Sequence, residues 1–171
     1  MFTGIIETIG TIKAIETDGN NRHFEIISSV TDELKVDQSV SHDGVCLTVT
    51  RVVDGHHWVT AVQETLDRST LGNCKPGSKI NLERCMLNNG RFDGHIVQGH
   101  VDTTAKVVAI DEKEGSWEFT FRIAAMDGNV LVEKGSITVN GISLTCYQIG
   151  RDSFRVAIIP YTYENTNMGA L

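Results

Sequence analysis

The stretch DGVCLTV, beginning at Asp43, returns as NGISLTC, beginning at Asn140, at a spacing of 97 residues (43 to 140). Self-similarity of this kind constrains the fold before any local propensity does, because a duplicated chain folds into two copies of one unit. The same spacing lays Ser39 on Ser136, and it carries ETLDRSTLG (64–72) onto YTYENTNMG (161–169), with Thr65 on Thr162 and Gly72 on Gly169. Upstream the spacing becomes 95, where GIIETIGTIKAI from Gly4 overlays GHVDTTAKVVAI from Gly99. The repeat therefore spans nearly the whole chain, with a small insertion or deletion.

Each copy reads as β structure. GTIKAI, RHFEII, VCLTVTRVV, HWVTAV and KINLE in the first half are short, rich in β-branched residues and broken by Gly, Asn or Asp. The second half offers AKVVAI, WEFTFRI, SITV, ISLTCYQI and FRVAII. TDELK and DGNVLV read as single helical turns. Short strands at this spacing predict two small closed barrels of Greek-key type, one per repeat. The turn cluster LNNGR puts the boundary near residue 88, giving domains 1–88 and 89–171. The copies end differently. The first runs on through NCKPGSKINLERC, whereas the second has only two residues after Gly169, so the second barrel is expected to lack its last strand in this chain. The natural protein is expected to continue beyond Leu171 with a strand and a helix.

Composition narrows the function classes. A net charge of −7 argues against a nucleic-acid partner, which needs a basic face. No apolar run approaches the roughly 20 residues of a membrane helix, and MFTGIIETIG is not a basic region followed by an apolar one, so a cytoplasmic location is expected. Cys46, Cys74, Cys85 and Cys146 form no Cys-x-x-Cys pair, and His95 and His100 are not spaced for one helical face, so no metal site is expected. Reduced, mostly buried thiols are the simpler reading.

Strand alternation sorts the repeated motif into faces. Leu47 and Val49 share one face, opposite Cys46, Thr48 and Thr50; Leu144 and Cys146 share another, opposite Ser143 and Thr145. The apolar faces fill barrels and leave a thiol and hydroxyls for a polar, planar ligand. A plain solvated strand face would look the same in one strand, but here the face recurs. GHIVQGHVD adds His95, His100 and Asp102, suited either to proton transfer or to bonding loop carbonyls. From that stretch alone, the second reading is the simpler.

MFTGIIE, DGVCLTV, ETL..STLG, INLER, GHIVQGHVD and NGISLTC, in order from Met1 to Gly169, together resemble the riboflavin synthase family. The resemblance implies an all-β fold of two tandem six-stranded Greek-key barrels, each binding one 6,7-dimethyl-8-ribityllumazine. It implies a transferase that moves a four-carbon unit between the two lumazines. The products are riboflavin and 5-amino-6-(D-ribitylamino)uracil, and neither a metal nor an external cofactor takes part. By motif, Ser39, Cys46, Thr48 and Thr65 would line the first site, with Phe2 and Thr3 beside the reacting rings and His100 as the acid–base group. Lys134, Asn140, Ser143, Thr145, Ile159 and Thr162 match the second site; Asn140 stands where some members carry aspartate. The resemblance also implies a homotrimer, whose working site lies between the first barrel of one subunit and the second barrel of its neighbour, and association with lumazine synthase.

The chemistry suits such a site. A lumazine C7 methyl must lose a proton to become a carbon nucleophile, and oriented donors stabilise the resulting anion better than water does. Stacking two rings converts a bimolecular reaction into a positioned one. Water, a ribityl hydroxyl, Cys46 or Ser143 could add to the acceptor's C7. A non-catalytic lumazine carrier of the same fold is the rival, and it would be expected to lose the second site and the proton-transfer residues.

Overall fold

The computed structural model describes residues 1–123 and 130–171. The first repeat folds as β1 (Thr8–Asp18), β2 (Asn21–Ile27), β3 (Ser39–His42), β4 (Val45–Val53), β5 (His56–Ala61), the helix α1 (Gln63–Arg68) and β6 (Lys79–Arg84). These strands close into a barrel of order β1-β2-β5-β4-β3-β6, in which β6 pairs with both β1 and β3. The expected turn at TDELK is a 3-10 turn over Thr31–Glu33. The second repeat gives β7 (Ala105–Lys113), β8 (Ser116–Ile123), β9 (Ser136–Val139), β10 (Ile142–Tyr147), β11 (Ser153–Ile158) and the helix α2 (Pro160–Asn165). Its sheet runs β7-β8-β11-β10-β9, the order of the first barrel over five strands, with β7 and β9 at its two ends. Residues 127–129 of the expected turn at DGNVLV lie outside the described residues.

Alternation produces both cores. Ile12, Phe24, Ile26, Val40, Val59 and Ile80 point into the first barrel, each contributing about 1.5–3 kcal/mol on burial. Phe119, Phe121, Phe154, Val156 and Ile158 fill the second, with Phe121 stacked on Phe154 at 5.3 Å. The duplication extends to irregularities. β1 slips register between Ile12 and Ala14, and β7 slips at the matching place, between Val107 and Ala109. Such bulges bend a strand sharply enough to curl the sheet.

One polar cluster sits inside the first barrel. His42 and His57 are fully buried, with their Nε2 atoms 3.2 Å apart. His42 Nδ1 lies 3.0 Å from the Val40 carbonyl, which can only accept, so that nitrogen carries the proton. The neutral His42 Nε2 then accepts from His57 Nε2–H, and His57 Nδ1 accepts from the Thr31 hydroxyl at 3.1 Å. Burial holds His42 down at about 3 and His57 at about 4, with His57 itself a further cause at His42. Both are neutral near pH 7.

Candidate active site

The repeated motif is a hairpin in each copy, and the two hairpin turns meet. Asp43–Gly44 joins β3 to β4 with φ of 48° and 86°, and Asn140–Gly141 joins β9 to β10 with φ of 48° and 80°. Two positive φ values in succession suit Asp-Gly and Asn-Gly turns. The turns pack back to back: a Cβ on Gly44 would lie 2.9 Å from Gly141 N, and one on Gly141 would lie 2.8 Å from Gly44 N. A pseudo-twofold axis therefore passes between residues 97 apart, and only glycine fits on either side of it.

Each repeat lends its leading segment to the other barrel. Phe2 and Val97 exchange two backbone hydrogen bonds, of 2.7 and 3.0 Å, at the crossing. Beyond it, Ser143 N–H on β10 donates to the Gly4 carbonyl at 2.7 Å, and Cys46 N–H on β4 donates to the Gly99 carbonyl at 2.8 Å. Cys46 and Ser143 thus occupy equivalent positions, each against the other repeat's arm. Leu47 and Val49 are buried while Cys46, Thr48 and Thr50 are not, and Leu144 and Cys146 join the second core opposite Ser143 and Thr145.

The first-barrel candidates divide into two groups. Ser39 pairs across β3–β4 with Thr48, next to Cys46, on the outward face. His100 is exposed and follows Gly99 directly, beside Cys46. Thr65 lies in α1, and this helix reaches the His100 loop through Arg68 Nη1, which donates to the Asp102 carbonyl at 3.3 Å. Phe2 and Thr3 are different: both are buried, Phe2 between the crossing arms and Thr3 against Glu83.

In the second repeat the structure favours proton transfer over loop bonding for the His95 side chain. His95 Nδ1 lies 2.6 Å from Ser143 Oγ and its Nε2 lies 3.0 Å from Thr138 Oγ1. Burial lowers the His95 pKa below the ordinary value, so the ring is neutral near pH 7. A neutral imidazole between two hydroxyls accepts from one and donates to the other, which poises it to move a proton at Ser143. Its position beside His100 in GHIVQGHVD was the one available signal, and it could not show which barrel each histidine serves.

The remaining second-repeat residues spread around Ser143. Thr145 is exposed on the same face, and Thr162 is in α2. Ile159, exposed, precedes α2 as Val62 precedes α1. The turns after the two helices match: Ser69 Oγ donates to the Thr65 carbonyl at 2.6 Å, and Thr166 Oγ1 donates to the Thr162 carbonyl at 2.7 Å. Lys134 has φ of 63° and sets its Nζ 4.8 Å from the Tyr147 ring centre. Asn140 faces the seam instead, where its Nδ2 donates to Asn167 Oδ1 at 3.2 Å and its carbonyl accepts from Asn81 Nδ2 at 2.9 Å. Asp43 joins this network by accepting from Asn81 N–H (2.8 Å) and Asn167 Nδ2 (2.9 Å).

A cavity of about 600 Å³ reaches from Asp43 and His95 at the seam to Val107, Phe121 and Phe154 on the inner face of the second sheet. Neither Cys46 nor Ser143 lines it. His95, His100 and Asn140 do line it, so the cavity borders the two matched polar faces through these residues.

The family described as the lumazine binding domain matches residues 3–85 and again residues 98–171. The riboflavin synthase of Bacillus amyloliquefaciens is 41% identical over 97% of this chain and 78% of its own. That of Mycobacterium tuberculosis is 43% identical over 99% of this chain and 87% of its own. The chain belongs to the riboflavin synthase family. The fold is shared more widely. A crystal structure of LumP complexed with 6,7-dimethyl-8-(1'-D-ribityl) lumazine superposes with a TM-score of 0.89 at 22% identity, covering 100% of this chain and 93% of that one. LumP complexed with riboflavin gives 0.90 at 23%, covering 100% and 94%.

Proposed function

We propose that this member of the riboflavin synthase family converts two molecules of 6,7-dimethyl-8-ribityllumazine into riboflavin and 5-amino-6-(D-ribitylamino)uracil. The observation that carries the reading is the pair of matched polar faces, around Cys46 and Ser143, set about one pseudo-twofold axis. A reaction between two identical molecules needs two sites of one shape that differ in chemistry. A thiol in one and a hydroxyl held by a histidine in the other meet that need. In this reading Ser39, Cys46, Thr48, Thr65 and His100 hold one lumazine. Lys134, Ser143, Thr145, Ile159 and Thr162 serve the other, with Asn140 bracing its hairpin turn at the seam and Phe2 and Thr3 in the arm between.

The two faces divide the chemistry. His95, neutral and 2.6 Å from Ser143 Oγ, moves the proton at that hydroxyl, and His100 serves the Cys46 face. Both faces are open, so stacking two rings away from water requires a cover. A neighbouring subunit in a cytoplasmic homotrimer is the cover we infer, with domains 1–88 and 89–171 contributing from different subunits; lumazine synthase would be an external partner.

Incubation with the lumazine alone tests the reading. Riboflavin absorbance should appear in step with lumazine loss, at half its molar amount. Bound lumazine fluorescence without riboflavin would make the protein a carrier, and no binding would remove both.

A further inference from the structure

The first seven residues precede β1 and belong to neither sheet, yet they reach the Ser143 face of the second repeat, where the Gly4 carbonyl accepts from Ser143 N–H. At Thr3 and Gly4 they are held by a buried carboxylate. Glu83, on β6, is 4% exposed and accepts three hydrogen bonds from the arm: Thr3 N–H to Oε1 at 2.6 Å, Thr3 Oγ1–H to Oε1 at 2.8 Å, and Gly4 N–H to Oε2 at 2.9 Å. Every group it meets there is a donor, so the carboxylate is used as an acceptor at both oxygens.

The arm passes that constraint on. The carbonyl of Thr3 accepts from His95 N–H at 3.0 Å, and the carbonyl of Gly4 accepts from Ser143 N–H at 2.7 Å. The same two residues that give their N–H groups to Glu83 therefore give their carbonyls to His95 and Ser143. Between these backbone anchors the side chains meet, Nδ1 to Oγ, at 2.6 Å. Phe2, one residue earlier, is fixed by its paired bonds to Val97.

We propose that Glu83 is a positioning residue for the second-barrel site. Although it sits on the first barrel, it fixes the N-terminal arm so that His95 and Ser143 face each other at bonding distance. The role in turnover rests on the riboflavin synthase reading of that site; the mechanical coupling does not. A hydrogen bond of 2.6 Å between ring and hydroxyl has little tolerance, and an arm displaced by 1 Å breaks the alignment that proton transfer needs.

Glu83→Gln is the discriminating variant. It keeps the size of the side chain but turns an NH₂ group toward either Thr3 or Gly4, so a donor faces a donor. Amide hydrogen exchange is followed residue by residue on the full chain, alongside turnover of 6,7-dimethyl-8-ribityllumazine. Exchange at Gly4, His95 and Ser143 should rise about tenfold or more, the effect of losing one charge-assisted bond, while Val59 and Ile80 in the barrel core stay unchanged. The value of kcat should fall about tenfold or more with KM within about threefold, the pattern of a lost transition-state alignment. Thr3→Val, which removes only the hydroxyl donor, should show the same pattern at smaller amplitude and covers the case in which Glu83→Gln does not fold. Unchanged protection at His95 and Ser143 in the folded variants overturns the proposal, as does an even loss of protection through both barrels. An opened arm with unchanged kcat overturns the positioning role. If the unaltered protein makes no riboflavin, the reading of the site fails on its own, and the exchange pattern still decides whether Glu83 holds the arm against His95 and Ser143.

Discussion

Replacing Asp43 with asparagine should stabilise the protein at alkaline pH and destabilise it in acid. Asp43 is almost wholly buried at the seam, and its two hydrogen bonds, from Asn81 N–H and Asn167 Nδ2, both end on Oδ1. An amide oxygen can accept both. The backbone poses no obstacle, since Asn140 occupies the equivalent turn position at the same φ of 48°. Burial pushes the Asp43 pKa from 3.8 up to about 7, against the opposing pull of the Asn81 and Asn167 hydrogen bonds. From about pH 4 to about pH 7 the native state thus keeps a proton that the unfolded chain has lost. Stability of the unaltered protein falls through that window by about 1.4 kcal/mol per pH unit, some 4 kcal/mol in all, and then levels off. Asparagine carries no such slope. Its NH₂ group gains no acceptor in the described hydrogen bonds, a cost of about 1–3 kcal/mol that is independent of pH. The variant should therefore be less stable by about 1–3 kcal/mol near pH 4 and more stable by a similar amount above pH 7, with a crossover between them. Urea unfolding of both proteins from pH 4 to pH 9 measures the difference, in which all other titrations cancel. A difference that does not change with pH would refute the buried-charge argument.

Three further outcomes are expected. His42 and His57 are neutral in the fold, with pKa values below that of the unfolded chain. Stability should fall as pH drops from about 6.5 toward 4, by up to about 1.4 kcal/mol per unit for each, and urea midpoints in the Asp43→Asn background should show this slope; a flat profile would reject the buried pair. His95→Gln should lower kcat about a hundredfold and remove an acid limb that lies below pH 6.5, where the neutral ring gains a proton; a pH–rate profile of unchanged shape would mean His95 moves no proton. Gly141→Ala combines a φ of 80° with a Cβ only 2.8 Å from Gly44 N, and should cost about 2–5 kcal/mol in thermal or urea unfolding, whereas Gly19→Ala, at φ 58° with open space around it, should cost only about 1–2.

Much of the fold was legible because duplication and alternation are local signals. The 97-residue spacing pairs Asp43 with Asn140 and Cys46 with Ser143, and period-two alternation separates Leu47 and Val49 from Cys46 and Thr48, just as the strands do. β3 was passed over in the first repeat because SVSH is short and half polar, although its counterpart SITV was read as a strand. The helices α1 and α2 were also missed. Six residues are too few for a helical period to emerge, and each helix is held by the hydroxyl of Ser69 or Thr166 closing its last turn.

By itself, the sequence determined the family and the two β units, through motifs repeated along the chain, and the residue types on each outward face, through alternation between neighbours one or two positions apart. Only the tertiary structure decided which groups act together. His95 and Ser143 are 48 positions apart, Thr3 and Glu83 are 80 apart, and Asp43 and Asn167 are 124 apart. The arms that cross at Phe2 and Val97 carry each repeat onto the other's strands, so a contact inside one candidate site is fixed by a carboxylate on the opposite barrel. Crossing of that kind leaves no periodic trace along the chain, because the distances that matter are set by how a closed barrel and a five-stranded sheet dock about their pseudo-twofold axis.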